Sequence, residues 1–240
     1  MLRRAALAPG EHVLDVACGT GLVAFAAAEA VGPGGQVLGV DLAERMVEAA
    51  GRRARAQAVS NIRFARMDAE RLELSDDAGF DAALCALGLM YVPEPEQAVR
   101  EMRRVLRPGG RMVLAVWGER SRCGWAPVFP IVDAEVASDV CPLFFRLGQG
   151  DALARLCAQA GFASVEAHRI VTTLDYADAE QACDAVFVGG PVALAWAHFP
   201  GETRARVRAR YVEAIAPWRD GAGYRIPGEF VVVAARAPGR

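Results

Sequence analysis

The chain of 240 residues contains no lysine, because all 27 of its basic residues are arginine. Without a lysine, the protein cannot form a Schiff base with a carbonyl substrate or anchor pyridoxal phosphate. The phosphate-binding lysine of a P-loop is excluded for the same reason. The composition therefore rules out these two kinds of lysine-dependent site.

Net charge and long apolar segments are also scarce. The formal net charge of −2 provides no broad positive field for nucleic acid or an anionic membrane surface. The longest apolar run, residues 82–92, is about half of the roughly 20 residues that span a bilayer. Residues 1–10 contain two arginines and no uninterrupted apolar segment, unlike a signal peptide. We therefore expect a cytoplasmic protein with a small-molecule partner, no nucleic-acid partner and no membrane span.

The six cysteines are scattered, and no two of them form a C-x-x-C pair. This spacing fits neither a zinc site nor a redox pair, so we expect reduced thiols and no metal. The six are Cys18, Cys85, Cys123, Cys141, Cys157 and Cys183.

The most informative segment that is present runs from residue 13 to residue 21, VLDVACGTG. Its apolar start predicts a short buried strand, and the following residues 22–30 predict an apolar helix. Gly19 and Gly21 lack a Cβ atom, so the backbone can bend sharply between the two elements and a ligand can approach it. The helix then points its N-terminal amides at whatever occupies the turn.

A second predicted strand, residues 36–40, brings Asp41 to the same crevice. Its carboxylate suits a ribose diol, which offers two hydroxyl donors, so we expect a cofactor that contains a nucleoside. Two cofactors remain possible at this point. Residues 19–24 match the pattern G-x-G-x-x-G/A, with Asp41 twenty positions after Gly21, as in proteins that bind a nicotinamide dinucleotide.

Three features favour another cofactor. Asp15, at the end of the first strand, is placed to reach a cationic amine rather than a pyrophosphate. A third predicted strand, residues 61–67, ends in Asp68-Ala69-Glu70, which could read an adenine amino group. Finally, the segment RRVLRPGG at residues 103–110 precedes a strong predicted strand, residues 111–117.

Four blocks thus follow one another along the chain: residues 15–21, Asp41, residues 68–70 and residues 104–110. In this order they resemble the class I S-adenosylmethionine-dependent methyltransferases, in particular the branch of the bacterial ubiquinone/menaquinone C-methyltransferases. The resemblance is close over residues 10–118 and weaker towards the C-terminus. It implies S-adenosyl-L-methionine as the cofactor and methyl transfer as the reaction.

The resemblance also implies a role for each residue of the crevice. Asp15 would face the methionine amino group, and Asp41 would accept from both ribose hydroxyls. Further cofactor contacts would come from the glycine turn, the adenine pocket and the end of the fourth strand: Ala17, Cys18, Gly19, Thr20 and Gly21; Leu42, Met46, Asp68, Ala69 and Glu70; Cys85 and Ala86.

Aromatic and apolar residues could form a dry pocket for a small hydrophobic or aromatic acceptor. The candidates are Leu87, Tyr91, Trp117, Trp196 and Phe199. His198, between the last two, is the best candidate base for an acceptor that must lose a proton. Asp81 is expected to make a structural hydrogen bond instead, and Glu101 and Arg104 a surface pair.

Strands and helices alternate from residue 10 to residue 118, which predicts a parallel sheet with right-handed crossovers. We place strands at 12–17, 36–41, 61–67, 80–87 and 111–118, and helices at 20–31, 43–57 and 94–106. A helix at 151–160 and strands at 164–171 and 229–235 follow. The resemblance implies an α/β, Rossmann-like, doubly wound sheet of seven strands, mostly parallel, with an antiparallel C-terminal strand and a helical cap.

We expect residues 1–240 to form one methyltransferase domain. Its parts would be a cofactor-binding core (10–118), an irregular region with a helix and a strand (119–171), a cap insertion (172–227) and a final strand (228–236).

Only residues 1–8 precede the first strand, whereas proteins of this family usually carry one or two lid helices there. Either residues 172–227 and a partner subunit supply the lid, or the chain is an N-terminally shortened version. We expect a monomer or a homodimer. This departure keeps open a non-catalytic cofactor-binding protein that lacks its N-terminal lid. The glycine pattern at residues 19–21 keeps open a second alternative, an NAD(P)-dependent oxidoreductase.

Overall fold

A computed structural model describes residues 1–76, 78–136 and 144–239 of the chain. These residues form two compact units, each assembled from separate segments. The first unit contains Met1–Val116, Asp151–His168 and Val231–Arg240, and the second contains Trp117–Gly150 and Arg169–Phe230.

The described strands are β1 (His12–Val16), β2 (Gln36–Asp41), β3 (Ile62–Arg66), β4 (Phe80–Ala86), β5 (Leu106–Trp117), β6 (Ala163–Tyr176), β7 (Arg219–Asp220) and β8 (Gly223–Arg236). They form one sheet in the order β3-β2-β1-β4-β5-β8-β6. The five strands β3, β2, β1, β4 and β5 are parallel, as predicted. Strand β8 runs antiparallel to β5, since Ala237 N donates to Gly110 O and Gly109 N donates to Pro238 O.

The described residues contain eight strands rather than the seven expected. The additional strand, β7, has two residues and pairs only with β8. Gly221, with φ of 60°, turns the chain between them. Two residues are too few to show an alternating pattern, so the sequence carries no signal for this strand.

The described part of the first unit contains the helices α1 (Leu2–Ala5), α2 (Leu22–Val31), α3 (Glu44–Ala56), α4 (Pro95–Val105) and α6 (Ala152–Gln159). Alanines 24, 27 and 28 of α2 are almost fully buried against strand residues such as Val13 and Val37. Their small side chains let the helix lie close to the sheet, which fixes the start of α2 directly beside the end of β1.

Three strand bounds differ from the prediction. β6 continues to Tyr176, β8 begins at Gly223 rather than at 228 or 229, and β5 begins at Leu106 rather than at 111. The proline and glycine residues at 108–110 and 227–228, residue types more common in turns, lie within β5 and β8. The register between β4 and β5 shifts between Phe80 and Ala82, which accommodates the irregular start of β5.

The second unit contains the helices α5 (Val128–Asp133), α7 (Ala179–Phe187), α8 (Ala193–His198) and α9 (Gly201–Ala214). Two groups of aromatic side chains pack together there. Trp125 contacts Phe129, Phe144 and Phe145 with ring-centroid distances of 5.5 to 5.9 Å. Phe187 stacks on Trp196 at 4.3 Å and meets Tyr211 edge-on at 5.4 Å.

Cys18, Cys85, Cys123, Cys157 and Cys183 are buried free thiols, whereas Cys141 lies outside the described residues. Within the described ranges, we find no helix that has both the length and the apolar character to cross a bilayer.

Candidate cofactor and acceptor site

Asp41 ties the glycine turn to the start of helix α3. Its Oδ2 accepts from Gly19 N at 2.8 Å, and its Oδ1 accepts from Ala43 N at 2.9 Å. Gly19 and Gly21 both have positive φ, 55° and 86°, a conformation that other residues adopt at a cost. The carboxylate is therefore held in place by backbone donors on both sides. Each oxygen has further lone pairs, so it can still accept a hydroxyl donor.

Asp15 is the most unusual ionisable group of the first unit, with only 1% of its surface exposed. Its Oδ2 makes no hydrogen bond within the described structure. Burial, reinforced by the nearby negative charge of Asp41, raises the pKa of the Asp15 carboxyl to about 8, although the Ala24 N–H opposes the shift. A buried carboxyl oxygen without a donor fits the cationic amino group of S-adenosylmethionine, which would supply both a donor and a charge.

The segment after β3 is anchored by its own backbone. Met67 N donates to Asp41 O at 3.1 Å, so Asp68 follows directly beside the end of β2. Asp68 is exposed, and its Oδ1 accepts from Glu70 N at 2.9 Å. Glu70 has a structural partner, because its Oε1 accepts from Glu94 N, at the start of α4, at 2.7 Å.

Large apolar side chains are exposed around the same edge of the first unit. Leu42 and Met46, predicted to contact adenine, are 60% and 43% exposed. Tyr91 is 55% exposed, and Leu22, at the first position of α2, is 75% exposed. Sequence reasoning missed Leu22, because a leucine at a helix start is usually part of the core. Exposed apolar groups beside a buried carboxyl are typical of a ligand site.

The ends of β1 and β4 meet closely. Ala17 and Leu87, which follow these strands, both have left-handed φ values, 53° and 56°. Gly88 lies against Ala17, since a Cβ at position 88 would be 2.3 Å from the Ala17 Cβ. Strained residues of this kind cluster at binding and catalytic sites. No local pattern predicts this contact, because it depends on left-handed φ values at Ala17 and Leu87, which alanine and leucine rarely adopt.

Cys18 and Cys85 are almost fully buried. Desolvation is the main cause that raises the pKa of both thiols, that of Cys85 to about 12, and the carboxylate of Asp15 adds to it. Both groups therefore stay neutral at ordinary pH, as small apolar residues do. Ala86 is half-buried beside them.

The predicted acceptor residues are divided between the two units. Leu87 and Tyr91 lie in the first, whereas Trp117, Trp196 and Phe199 lie in the second. Trp117 stacks on Phe230 with ring centroids 4.4 Å apart. Trp196 is partly buried, and Phe199 is 8% exposed.

His198 is exposed at the end of α8, where its Nδ1 lies 2.8 Å from Leu194 O. Asp81 has the structural role expected of it, since its Oδ2 accepts from His12 N at 2.7 Å and its Oδ1 pairs with Arg107.

Comparison with known proteins agrees with this arrangement. Residues 13–110 match the model of a family described as a methyltransferase domain. A demethylmenaquinone methyltransferase of Geobacillus kaustophilus is 37% identical over 113 residues, which cover 47% of this chain and 48% of the relative. The chain thus matches about half the length of this curated relative.

Solved structures share the fold. A provisionally assigned methyltransferase of Bacillus halodurans superposes with a TM-score of 0.70 at 24% identity, covering 99% of this chain and 96% of that one. A SAM-dependent methyltransferase of Aquifex aeolicus gives a TM-score of 0.54 at 20% identity, covering 72% and 81%.

These matches decide between the two cofactors in favour of S-adenosylmethionine, to which the buried carboxyl of Asp15 is also suited. They confirm the resemblance seen in the glycine turn and the acidic strand ends. Residues 13–110 therefore form a methyltransferase domain of the class I, S-adenosylmethionine-dependent kind, and this part of the chain is similar to the demethylmenaquinone methyltransferases.

Proposed function

We propose that the whole chain is an enzyme that transfers the methyl group of S-adenosylmethionine to a small hydrophobic or aromatic acceptor. The observation that carries the proposal is the pair of carboxyl groups in the first unit. Asp15 is buried with an unpartnered oxygen, and Asp41 is fixed by two backbone donors at the end of the next strand.

In this proposal each carboxyl group recognises a different part of the cofactor. Asp15 holds the amino group, and Asp41 holds the ribose hydroxyls. The backbone from Ala17 to Gly21 faces the amino-acid moiety and the ribose, while Leu42 and Met46 pack on the face of the adenine ring. Asp68 and the Ala69 amide read the adenine edge, and Cys85 and Ala86 line the sulfonium side.

The bound cofactor supplies a methyl group that is already activated by a positively charged sulfur. The protein then has to orient the acceptor in line with the methyl group and exclude water. Leu87 and Tyr91 after β4 are the proposed apolar acceptor residues of the first unit, and Trp117, Trp196 and Phe199 are those of the second. We further propose that residues 172–227 act as a cap within one methyltransferase domain.

His198 is the proposed base for an acceptor that loses a proton. Its Nδ1 faces a carbonyl oxygen, which only accepts, so the neutral ring carries its hydrogen on Nδ1. Nε2 then carries the lone pair and can take a proton. We expect His198→Ala to lower turnover between pH 6 and 8 while leaving cofactor affinity unchanged, whereas His12→Ala, at another exposed histidine, should change neither. Unchanged turnover in His198→Ala would remove this residue from the mechanism.

Calorimetry tests the cofactor part of the proposal. The protein should bind S-adenosylhomocysteine and show no heat with NAD or NADP. Asp41→Ala should weaken binding at least tenfold, since one charge-assisted hydrogen bond is worth roughly 1.5–3 kcal/mol. Asp175→Ala, at an exposed carboxylate of the second unit, is the matched control and should bind normally.

Turnover is measured separately, with S-adenosylmethionine and a panel of quinols, phenols and small polar acceptors. Methylation of the apolar acceptors supports the proposed function. Strong cofactor binding without methylation of any acceptor would instead identify a non-catalytic binding protein.

A further inference from the structure

A cavity of about 830 Å³ lies within the second unit, and all of its lining residues that the structure describes belong to that unit. Its size is typical of pockets that hold small molecules. Rigid or bulky apolar side chains form much of the wall, among them Pro127, Pro130, Pro227 and Trp218. Val171 also lines it and is 75% exposed, a large apolar side chain left open to solvent.

Glu229 lies at this cavity and is 1% exposed. Its Oε2 accepts from Arg169 Nη1 at 2.6 Å and from Glu119 N at 3.1 Å. Arg122 Nη1 is 3.2 Å from Oε1, which is an ion-pair contact without the alignment of a hydrogen bond. Two arginines therefore compensate the buried charge of Glu229.

The backbone around Glu229 leaves room for its side chain. A Cβ on Gly118 would be 2.2 Å from Oε2, so only glycine fits at this position. A Cβ on Gly124 would be 2.9 Å from Pro227, in the cavity wall. Close packing that depends on these two glycines therefore holds Glu229 and Pro227 in place at the cavity wall.

Positive charge remains at the mouth of the cavity. Arg120 lines it and is exposed, and the described structure gives its guanidinium neither an ion pair nor a hydrogen bond. Arg122 is 56% exposed and forms ion pairs with both carboxylates: its Nη1 lies 3.2 Å from Glu229 Oε1, and its Nε lies 3.8 Å from Glu119 Oε2. Arg122 and Arg169 thus pair with the two carboxylates of Glu119 and Glu229, and the charge of Arg120 is left without an ion pair in the described structure.

We propose that this cavity binds a small apolar anion, such as an aromatic carboxylate. The apolar body of the ligand would lie against Trp218 and the prolines, and its acidic group would pair with Arg120 and Arg122. Charge complementarity selects this ligand over a neutral one, because a carboxylate and an arginine form a short, charge-assisted pair. The site goes beyond the proposed methyl transfer and does not depend on it.

Two probes of equal shape test the proposal by calorimetry in the absence of any cofactor: 1-naphthoate and its neutral counterpart 1-naphthamide. We expect 1-naphthoate to bind roughly tenfold more tightly, the effect of one charge-assisted pair. Arg120→Ala should abolish most of that preference. Arg208→Ala, which removes an arginine of α9 that does not line the cavity, should preserve it.

A further variant tests the location. Val171→Trp should fill the cavity and block both probes, and the exposed position should tolerate the larger side chain. Equal binding of the two probes, equal behaviour of the two arginine variants, or unchanged binding in Val171→Trp would each overturn the proposal. Circular dichroism of each variant confirms that it is folded. Since S-adenosylhomocysteine is absent, these results leave the methyltransferase proposal untouched.

Discussion

At the scale of single residues, Asp15 has a carboxyl group in a place where water does not reach it. Burial raises the pKa of Asp15 to about 8 in the folded chain, whereas an unfolded aspartate titrates near 4. Between these values the unfolded chain loses its proton first. The contribution of Asp15 to the free energy of unfolding therefore falls as pH rises from about 4 to about 8.

Asp15→Asn removes the titrating group with little change in shape. The free energy of unfolding of the natural protein should fall between pH 5.5 and pH 8.5, because the buried Asp15 carboxyl becomes charged. The variant lacks this carboxyl, so its free energy of unfolding should rise relative to that of the natural protein over the same range. Urea unfolding of the cofactor-free protein at both pH values measures this. Asp68→Asn, at an exposed aspartate, should show no such gain. Parallel pH profiles for the natural protein and Asp15→Asn would contradict the prediction.

Ala17 and Gly88 provide a second test at this scale. Gly88→Ala places a methyl group 2.3 Å from the Ala17 Cβ and should displace the cofactor turn. Affinity for S-adenosylhomocysteine should fall, and the melting temperature with it. Adding Ala17→Gly removes the clashing atom and relieves the positive φ, so the double variant should regain part of both.

The control for this pair is Gly51→Ala, in helix α3. Its new Cβ would meet nothing closer than Arg55 Nη1, at 3.5 Å. We expect slightly higher stability, by up to about 1 kcal/mol, and unchanged affinity. If the double variant binds no better than Gly88→Ala alone, the contact does not position the turn.

At the scale of elements, Arg111 holds the short helix α1 on the sheet. Its guanidinium donates to the carbonyl groups of Ala5 and Ala6 and pairs with Glu11. The Arg111 and Glu11 side chains are only 14% and 16% exposed, so solvent screens this pair weakly. The pair keeps the pKa of Glu11 below its usual value, chiefly through the hydrogen bond from Arg111.

Arg111→Ala should therefore release the N-terminal segment and cost about 1–3 kcal/mol of stability. Hydrogen exchange measures the release directly, as lost protection of the amides of residues 4–6. Arg3→Ala, at an exposed arginine of α1, should leave that protection intact. Equal protection in both variants would mean that α1 is held by its apolar contacts alone.

The elements that the sequence predicted well are those with a clear local pattern of apolar residues. The bounds of β1 to β4 and α2 to α4 agree with the prediction to within two residues, because short apolar runs, the apolar helix α2 and the one-sided helices α3 and α4 are each marked by residues close in sequence. The long ends of β6 and β8 were missed, since Pro227 and Gly228 suggest a turn. Gly228 instead packs against Thr172 and Trp117, which are distant in sequence.

Pairings between distant segments were the hardest to predict. Glu101 and Arg104 were expected to form a surface pair, but their side chains are only 13% and 29% exposed. Arg104 also donates to the carbonyl oxygens of Leu72 and Leu74, and Glu101 accepts from Leu72 N. The pair therefore anchors the segment after β3. Spacing within a helix reveals the pair but not the segment that it holds.

In the candidate site, sequence motifs located the carboxylates but not their partners. The position of Asp41 after a strand indicated a ligand group, whereas its bonds to Gly19 and Ala43 emerge only when the turn is folded. No pattern in the sequence near Glu229 predicts its buried, ion-paired environment. It depends on Arg169 and on Gly118, which lie 60 and more than 100 positions away along the chain.

At the scale of the whole molecule, neither unit is a continuous piece of chain. Strand β6 passes from the first unit to the second after His168, and β8 passes back after Phe230. Unfolding one unit alone would cut these strands midway and leave backbone groups unpaired. We therefore expect the described units to unfold in one cooperative transition.

The four tryptophans allow a direct test, because all of them belong to the second unit: Trp117, Trp125, Trp196 and Trp218. The proposed cofactor residues, from Asp15 to Ala86, belong to the first unit. S-adenosylhomocysteine at one hundred times its dissociation constant should stabilise the folded protein by about 2.7 kcal/mol. In a urea titration followed by tryptophan fluorescence, the midpoint should move as far as it does by circular dichroism. Asp41→Ala, measured at the same ligand concentration, should show a much smaller shift by both methods. A fluorescence midpoint that stays fixed while the circular-dichroism midpoint moves would show that the two units unfold independently.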